Sequence, residues 1–332
     1  MAGVEVAVLG DVNVDVLIAI PAYPPPGGDA LTEHITIQAG GSAANTAIAL
    51  AKLGVTAKLI ARAGDDVWAE LGLRALAEAG VDLGAVQSDD QASTGMFFIP
   101  VTPDGERTMF GHRGANARTD PVAIGPDALG RARILHVSGY AFLEAPQREA
   151  AWRAVGLAKQ NGVAISLDTG LQPALRLAGE MRRLLPHLAV CVLGLDEAQA
   201  LVGGDSPAGA AAALIERGVQ TVGLKLGARG CLLADASRVV HLPSFEVATV
   251  DTTGAGDAFS AGLLFGRLRG LSLPASGILA TALGGLATTA WGGGSALPGR
   301  AEVTRLLRDH LRAGQSHDRA AWIAEVLTAI ES

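Results

Sequence analysis

The sequence predicts an α/β fold: a mostly parallel central sheet covered by helices, with a small second sheet set into it. Three observations carry this expectation. Apolar runs of strand length alternate with stretches of helical spacing along most of the chain, the pattern of successive βαβ units. Two segments, 12–38 and 94–110, break that rhythm and read as strands of another sheet. The 332 residues are 49% hydrophobic and only 18% charged, enough for a large buried core.

Residues 4–9 (VEVAVL) form a continuous apolar run, as a parallel strand covered on both faces requires. Residues 12–20 and 31–38 alternate like exposed strands, and PAYPPPGGDA between them is too rich in Pro and Gly for regular structure. Helical spacing runs over 42–53 through Ile48, Ala51 and Leu53. A strand follows at 57–61, then a helix over 68–79 ended by Gly80 at a C′-type position. Residues 94–101 and 106–110 flank Pro-Asp-Gly, a hairpin turn signal. Further strands are expected at 134–137, 164–167, 190–193 and 221–224, with helices over 145–159 and 206–217. The last of these opens on Ser206-Pro207, a cap followed by proline at the first helical position. Residues 270–299 carry no charge, a length that could span a bilayer. The run is mostly Ala, Gly, Ser and Thr and is interrupted by Pro274 and Gly292, Gly293 and Gly294, so it reads as a buried core helix. At 319–331, Ile323, Val326, Leu327 and Ile330 share one face of a terminal helix packed on the body.

Because the irregular segments interrupt the main pattern, the second unit is an insertion. The expected division is a body of 1–12, 39–92 and 113–315, a small β lid of 13–38 and 93–112, and a C-terminal helix of 316–332.

The net charge of −7 and a pI near 5.5 argue against a non-specific nucleic-acid binder or a binder of anionic membranes. A bound phosphate must therefore be held by local donors. Cys191 and Cys231 lie in apolar runs without disulfide or metal spacing, and no basic stretch precedes the first apolar run. Buried thiols in a reducing, cytoplasmic setting are expected. No G-x-x-x-x-G-K-[ST], H-E-x-x-H, G-x-S-x-G or early G-x-G-x-x-G occurs, which removes support for a P-loop, a zincin, a serine hydrolase and a dinucleotide-dependent oxidoreductase.

The strongest signal is VDTTGAGDAFSAGLL at 250–264. Gly254, Ala255 and Gly256 form a turn at a helix N-terminus, where small residues let backbone N–H groups face one point with the helix dipole behind them. Asp257 stands in the first turn beside that anion hole. A carboxylate there can take the proton of a hydroxyl nucleophile while the hole stabilises a transferring phosphoryl group.

DTTGAGDAFSAGLL resembles the C-terminal signature of the ribokinase-like (PfkB-type) carbohydrate kinases, and AGGSAANTAIALAKLG at 39–54 resembles their Gly-Gly helix entry. GDVNVD at 10–15, PPPGGD at 24–29, STG at 93–95, GERTM at 105–109, RGAN at 113–116 and KLGARG at 225–230 follow the family order, so the likeness covers about 4–312. The resemblance implies a three-layer body with a β lid and transfer of the ATP γ-phosphate to a sugar hydroxyl. It makes Asp257 the catalytic base and Gly254, Ala255 and Gly256 the anion hole. Asn13, Asp15, Gly41 and Asn45 match positions that hold the sugar hydroxyls, and Lys225, Gly227 and Gly230 fall at the nucleotide wall. Asp251 and Thr253 match a monovalent-cation loop, for K+, completed by residues near 292–298.

Two departures stand out. Where the family carries Asn-x-x-Glu, this chain has Gly194-Leu195-Asp196-Glu197, leaving Glu197 to place Mg2+ through water. The stretch HVSGYAF, near Tyr140, lacks the acid that grips ribose, with no carboxylate before Glu144. A substrate differing from ribose on that side is expected, and a nucleoside kinase of the same fold is the alternative. A non-catalytic sugar sensor is disfavoured by the intact GAGD. Exposed edges on the lid predict a homodimer through it.

Overall fold

The computed structural model describes residues 3–32, 34–103 and 106–332. The chain opens with β1 (Val6–Leu9), then crosses into a second sheet as β2 (Asn13–Ala19) and β3 (Ile35–Gly40). Helix α1 (Ser42–Lys52) leads back to β4 (Ala57–Gly64), followed by α2 (Val67–Glu78) and β5 (Asp82–Asp89). The second sheet is then completed by β6 (Gly95–Val101) and β7 (Phe110–His112). The remainder alternates: α3 (Pro126–Leu129), β8 (Ile134–Ser138), α4 (Gln147–Gln160), β9 (Ala164–Asp168), α5 (Leu171–Arg176), α6 (Ala178–Leu184), β10 (Leu188–Gly194), α7 (Leu195–Val202), α8 (Pro207–Glu216) and β11 (Thr221–Lys225). A hairpin, β12 (Cys231–Asp235) and β13 (Val239–Leu242), precedes α9 (Ala255–Arg269), α10 (Leu273–Ala287), α11 (Arg300–Arg312) and α12 (His317–Glu331).

Among the described residues the main sheet has nine strands in the order β13-β12-β11-β10-β9-β8-β1-β4-β5. Pairing is parallel from β11 to β5 and antiparallel only in the β11-β12-β13 edge. Alternate side chains feed two cores. Val6 and Val8 face α1, α9, α10 and α12, whereas Ala7 and Leu9 face α4, α6 and α8. This gives three layers, helices over both faces of a parallel sheet. From β1 the chain builds outward to β4 and β5, then returns to add β8 on the other side. That reversal beside β1 is a topological switch point, where α/β sheets open a crevice at the carboxyl ends of their strands.

The uncharged run at 270–299 supplies α10, buried against α9 and α12. Its small residues are explained by contact: a Cβ on Gly262 of α9 would lie 2.6 Å from the Ala280 Cα. No described helix is long and apolar enough to cross a membrane. Both cysteines are free and buried. On α12, Ile323, Val326 and Ile330 are buried against the body.

The second sheet runs β3-β2-β6-β7. Two expectations need correction. The first five residues of β2 are buried, not exposed, because one face covers the crevice and the other packs within the body. The strand expected at 106–110 is displaced to Phe110–His112, with Arg107 making only a single bridge to Val101. Of the Pro-Asp-Gly turn, Asp104 and Gly105 lie outside the described residues. β5 and β13 escaped the sequence reading, whereas β12 coincides with the apolar, strand-like run around Cys231.

Candidate active site

Helix α9 starts at Gly254, which holds a left-handed conformation (φ 76°) that favours glycine. The turn sets the N-terminus of a 15-residue helix at the crevice, which Gly254 and Gly256 line; the first N–H groups of a helix have no acceptor within it. Asp257 sits in this first turn. One carboxylate oxygen accepts from Ser42 Oγ at 2.8 Å and the other from Asn45 Nδ2 at 2.9 Å. Both donors come from the start of α1, more than 200 residues earlier in the chain. Burial lifts the Asp257 carboxyl to about 6, with the Asp168 charge adding to it and the Asn45 and Ser42 donors opposing. A base of that strength is ionised at neutral pH yet still able to accept a proton.

The crevice is a cavity of about 310 Å³ between the main sheet and the lid. Asn13, Asp15, Gly41 and Asn45 all line it, together with Asp257, Gly254 and Gly256. Their roles divide. Asn45 spends its amide on the protein: Nδ2 on Asp257 and Oδ1 on the Gly294 N–H at 2.9 Å. It therefore orients the carboxylate of Asp257 and joins it to the 292–298 loop. Gly41 is required by backbone geometry, since at φ 97° a Cβ would stand 2.5 Å from the Asp11 carbonyl oxygen. Asn13 is fixed by Asn116, whose Nδ2 donates to Asn13 Oδ1 at 2.8 Å. Asp15 is buried, and burial with the charges of Asp257 and Asp251 raises it to about 7 while Arg107 opposes. Space for its carboxylate exists only because residue 40 is glycine; a Cβ there would lie 2.1 Å from Asp15 Oδ2.

Ala255 does not line the cavity, and its N–H lies 3.4 Å from the Thr252 carbonyl oxygen. Asp251 accepts from the Thr253 N–H and hydroxyl through Oδ1 and from the Gly292 N–H at 2.7 Å through Oδ2. Its carboxylate thus ties the 251–253 and 292–298 loops together. Glu197 lines the cavity and accepts from its own helix at the Gly194 N–H, 3.0 Å; burial raises its carboxyl. Lys225 lines the cavity, whereas Gly227 and Gly230 shape the turn between β11 and β12 and do not.

Residues 4–300 match the family described as pfkB family carbohydrate kinase. The chain belongs to that family. A ribokinase of Haemophilus influenzae is 29% identical over 306 residues, covering 90% of this chain and 97% of the relative. A fructokinase of Klebsiella pneumoniae is 32% identical over 323 residues, 91% of this chain and 99% of the relative. A putative Ribokinase II from E. coli, in complex with ATP and Mg2+, has the same fold, with a TM-score of 0.83 at 23% identity over 92% of this chain and all of that one. This carbohydrate kinase is accordingly a phosphotransferase with an alcohol group as acceptor.

Several cavity residues of the kinase were not singled out by the sequence. Asp11 enters from the end of β1 and is held by Arg113 (2.9 Å to Oδ1) and Gln147 (2.7 Å to Oδ1). It supplies a carboxylate near the Tyr140 stretch, where none had been expected; Glu144 instead turns to Arg113 at 3.5 Å. Arg107 reaches from the lid to the hydroxyls of Thr252 (2.7 Å) and Thr253 (3.2 Å), across the mouth of the anion hole. Asp168 ends β9 and accepts from Lys225 and Ser260. Asp11, Arg107 and Arg113 fell inside quoted motifs, but no role was read for them there. Asp168 stands outside every quoted motif, and the partners of both acids lie far away in sequence, so no local spacing marks their roles.

Proposed function

We propose that the protein is an ATP-dependent sugar kinase that transfers the γ-phosphate to a hydroxyl of a small, uncharged carbohydrate. The observation that carries this is the Asp257 carboxylate, fixed by Ser42 and Asn45 beside the α9 N-terminus and facing the same cavity as Asn13 and Asp15. In this reading Asn13 and Asp15 hold adjacent hydroxyls, Gly41 lets the ring approach, and Asn45 aligns the base. Asp257 takes the hydroxyl proton, and the N–H groups around Gly254, Ala255 and Gly256 stabilise the transferring group.

ATP with Mg2+ supplies the activated phosphoryl group. The donor set fits a hard, phosphate-bound cation: Glu197 is a cavity carboxylate suited to holding Mg2+ through water. Lys225 and the Gly227–Gly230 turn form the nucleotide side. K+ is assigned to the meeting of Asp251 and Thr253 with the 292–298 loop, where backbone oxygens suit a monovalent ion. Segments 13–38 and 93–112 act as a lid on the 1–12, 39–92 and 113–315 body, with 316–332 as a terminal helix. Two free buried thiols suit a reducing cytoplasm.

Cavity charge argues for an uncharged acceptor. Among the described residues Arg107 faces Asp251 and Arg113 is paired with Asp11, while Lys225, paired with Asp168, lies on the nucleotide side. No cation remains free in the sugar half for a carboxylate or a second phosphate. A nucleoside is the second reading, favoured by the apolar Phe97, Ile99 and Met109 of the lid and by Tyr140, which offer a flank to a base. Nucleotide consumption is to be measured with ribose, fructose, a keto-sugar acid and adenosine. Turnover of a neutral acceptor at least tenfold above the sugar acid is expected. Preference for the acid would contradict the charge argument, and no turnover with any acceptor would count against the kinase reading itself.

A further inference from the structure

Lys225 occupies an electrostatically odd place. It ends β11, and a Cβ on Gly256 would lie 3.2 Å from its Nζ. An ammonium so close to the first turn of α9 faces the positive end of the helix dipole, which favours anions. Nor is it a flexible surface lysine. Nζ lies 3.0 and 3.1 Å from the two Asp168 oxygens, and Ser260, from the second turn of α9, donates to Asp168 Oδ2 at 2.7 Å. Burial disfavours its charge, but Asp168 and Glu197 outweigh this and hold the ammonium above the ordinary lysine range.

The neighbouring strand explains the space around it. In the parallel register of β10 and β11, Gly194 sits directly beside Lys225. Residue 194 is where an amide was expected from the Asn-x-x-Glu pattern, and glycine leaves that position without a side chain. The cavity therefore lacks one neutral donor and carries a fixed cation one strand away. An ammonium has three N–H donors. Asp168 engages it from one side, and the side chain stays partly open to the cavity. The α9 N-terminus, Lys225 and Arg107 thus line the same cavity.

We propose that Lys225 is a catalytic residue that contacts the transferring phosphoryl group, and that Asp168 is the residue positioning it. The proposal rests on the kinase reading above. In the step, the acceptor oxygen forms its bond to the γ-phosphorus as the bond to the departing ADP oxygen breaks, and the hydroxyl proton passes to Asp257. Lys225 keeps its proton throughout and offsets charge on the phosphoryl oxygens. It takes over stabilisation that an amide at 194 would have shared with Mg2+.

The test is a steady-state comparison of Lys225→Met, Lys225→Gln, Asp168→Asn and the double variant Lys225→Met/Asp168→Asn, with Asp257→Asn as control. Lys225→Met is expected to lower kcat by about 10²–10³-fold, the effect of losing one preorganised donor, with sugar KM changed less than threefold. The Mg2+ concentration for half-maximal rate is expected to rise. Asp168→Asn should lower kcat less, by about tenfold. Lys225→Met strands a buried carboxylate, so the double variant, which removes both charges, and Lys225→Gln, which still donates to Asp168, guard against misfolding. Both should fold and stay slow. A kcat within threefold of wild type in either folded variant would overturn the proposal, as would a change confined to the KM for ATP. An active wild type, an impaired Asp257→Asn and an unimpaired Lys225→Gln would remove this proposal alone. An inactive wild type would remove the kinase reading.

Discussion

Asp15 and Asp257 are both buried carboxylates in one cavity, yet their surroundings assign them different work. Asp257 receives two side-chain donors and rises only to about 6; Asp15 has the nearby charges of Asp257 and Asp251 and rises to about 7. The sign for stability follows. A carboxyl raised in the folded state binds its proton more tightly there than in the unfolded chain. Its stabilising contribution is present below the unfolded value near 3.8 and is lost as pH climbs to about 7. Asp15→Asn is therefore expected to raise the melting temperature at pH 8, by up to about 4 kcal/mol of stability at 1.4 kcal/mol per pKa unit. At pH 4 it should change little. The same variant should lose sugar affinity at both values. Thermal melts at pH 4 and 8 decide this, and equal effects at the two would show that Asp15 is not perturbed. Asp257 was legible in the sequence because its machinery is local: a glycine turn, a helix start and the acid within a few residues. Asp11 and Asp168 were not, since Arg113, Gln147, Lys225 and Ser260 meet them only through the fold.

At the scale of elements, the strand and helix periods placed most of the main sheet, and failures have specific causes. Residues 82–89 (DLGAVQSD) form an edge strand, half exposed, and lack the apolar continuity of the central ones. β13 pairs with β12 in an antiparallel hairpin, so the alternation of strand with helix that identified the others does not apply to it. β2 alternates in letters because its two faces meet different partners: Asn13 and Asp15 line the cavity, while Val14 lies toward α2 and Val16 belongs to the outer row of the lid. The 251–253 and 292–298 loops carry a prediction at this scale. Asp251 spends both oxygens on tying them together, so a bound cation would order the turn that precedes the anion hole without touching the acceptor. Activity in K+ should exceed that in Na+ or Li+ at fixed Mg2+. Equal rates in K+-free buffer would remove the cation from the account.

For the molecule as a whole, the lid presents two unlike faces. Asp15, Phe97 and Ile99 line the cavity. On the other face the register aligns Ile37, Val16, Phe98 and Phe110 in one row, of which Phe98 is 46% and Phe110 58% exposed. Exposed apolar side chains gathered on one face of a sheet are suited to association, although Val16 within the row is itself buried. Two copies pairing through their lids would bury those side chains and close the open strand edges. On this pairing the wild type is expected to sediment as a dimer and Phe98→Glu as a monomer, with the main-sheet fold intact. A wild type that sediments as a monomer at all concentrations would rule the pairing out. The insertion of this lid into an α/β body was legible from the two interruptions of the strand-helix rhythm. Its second face was not, because pairing partners along the row come from strands up to about 90 residues apart.

The central claim is that Asp257, set beside the α9 N-terminus, removes the acceptor proton during phosphoryl transfer. The most direct measurement is single-turnover phosphorylation of the best neutral acceptor by wild type and Asp257→Asn, with ADP affinity measured on both by calorimetry. The account predicts a fall of about 10²–10⁴-fold in the transfer rate, the range for a positioned general base, with ADP affinity within threefold and the fold unchanged. A folded Asp257→Asn protein that transfers phosphate at near the wild-type rate would contradict it.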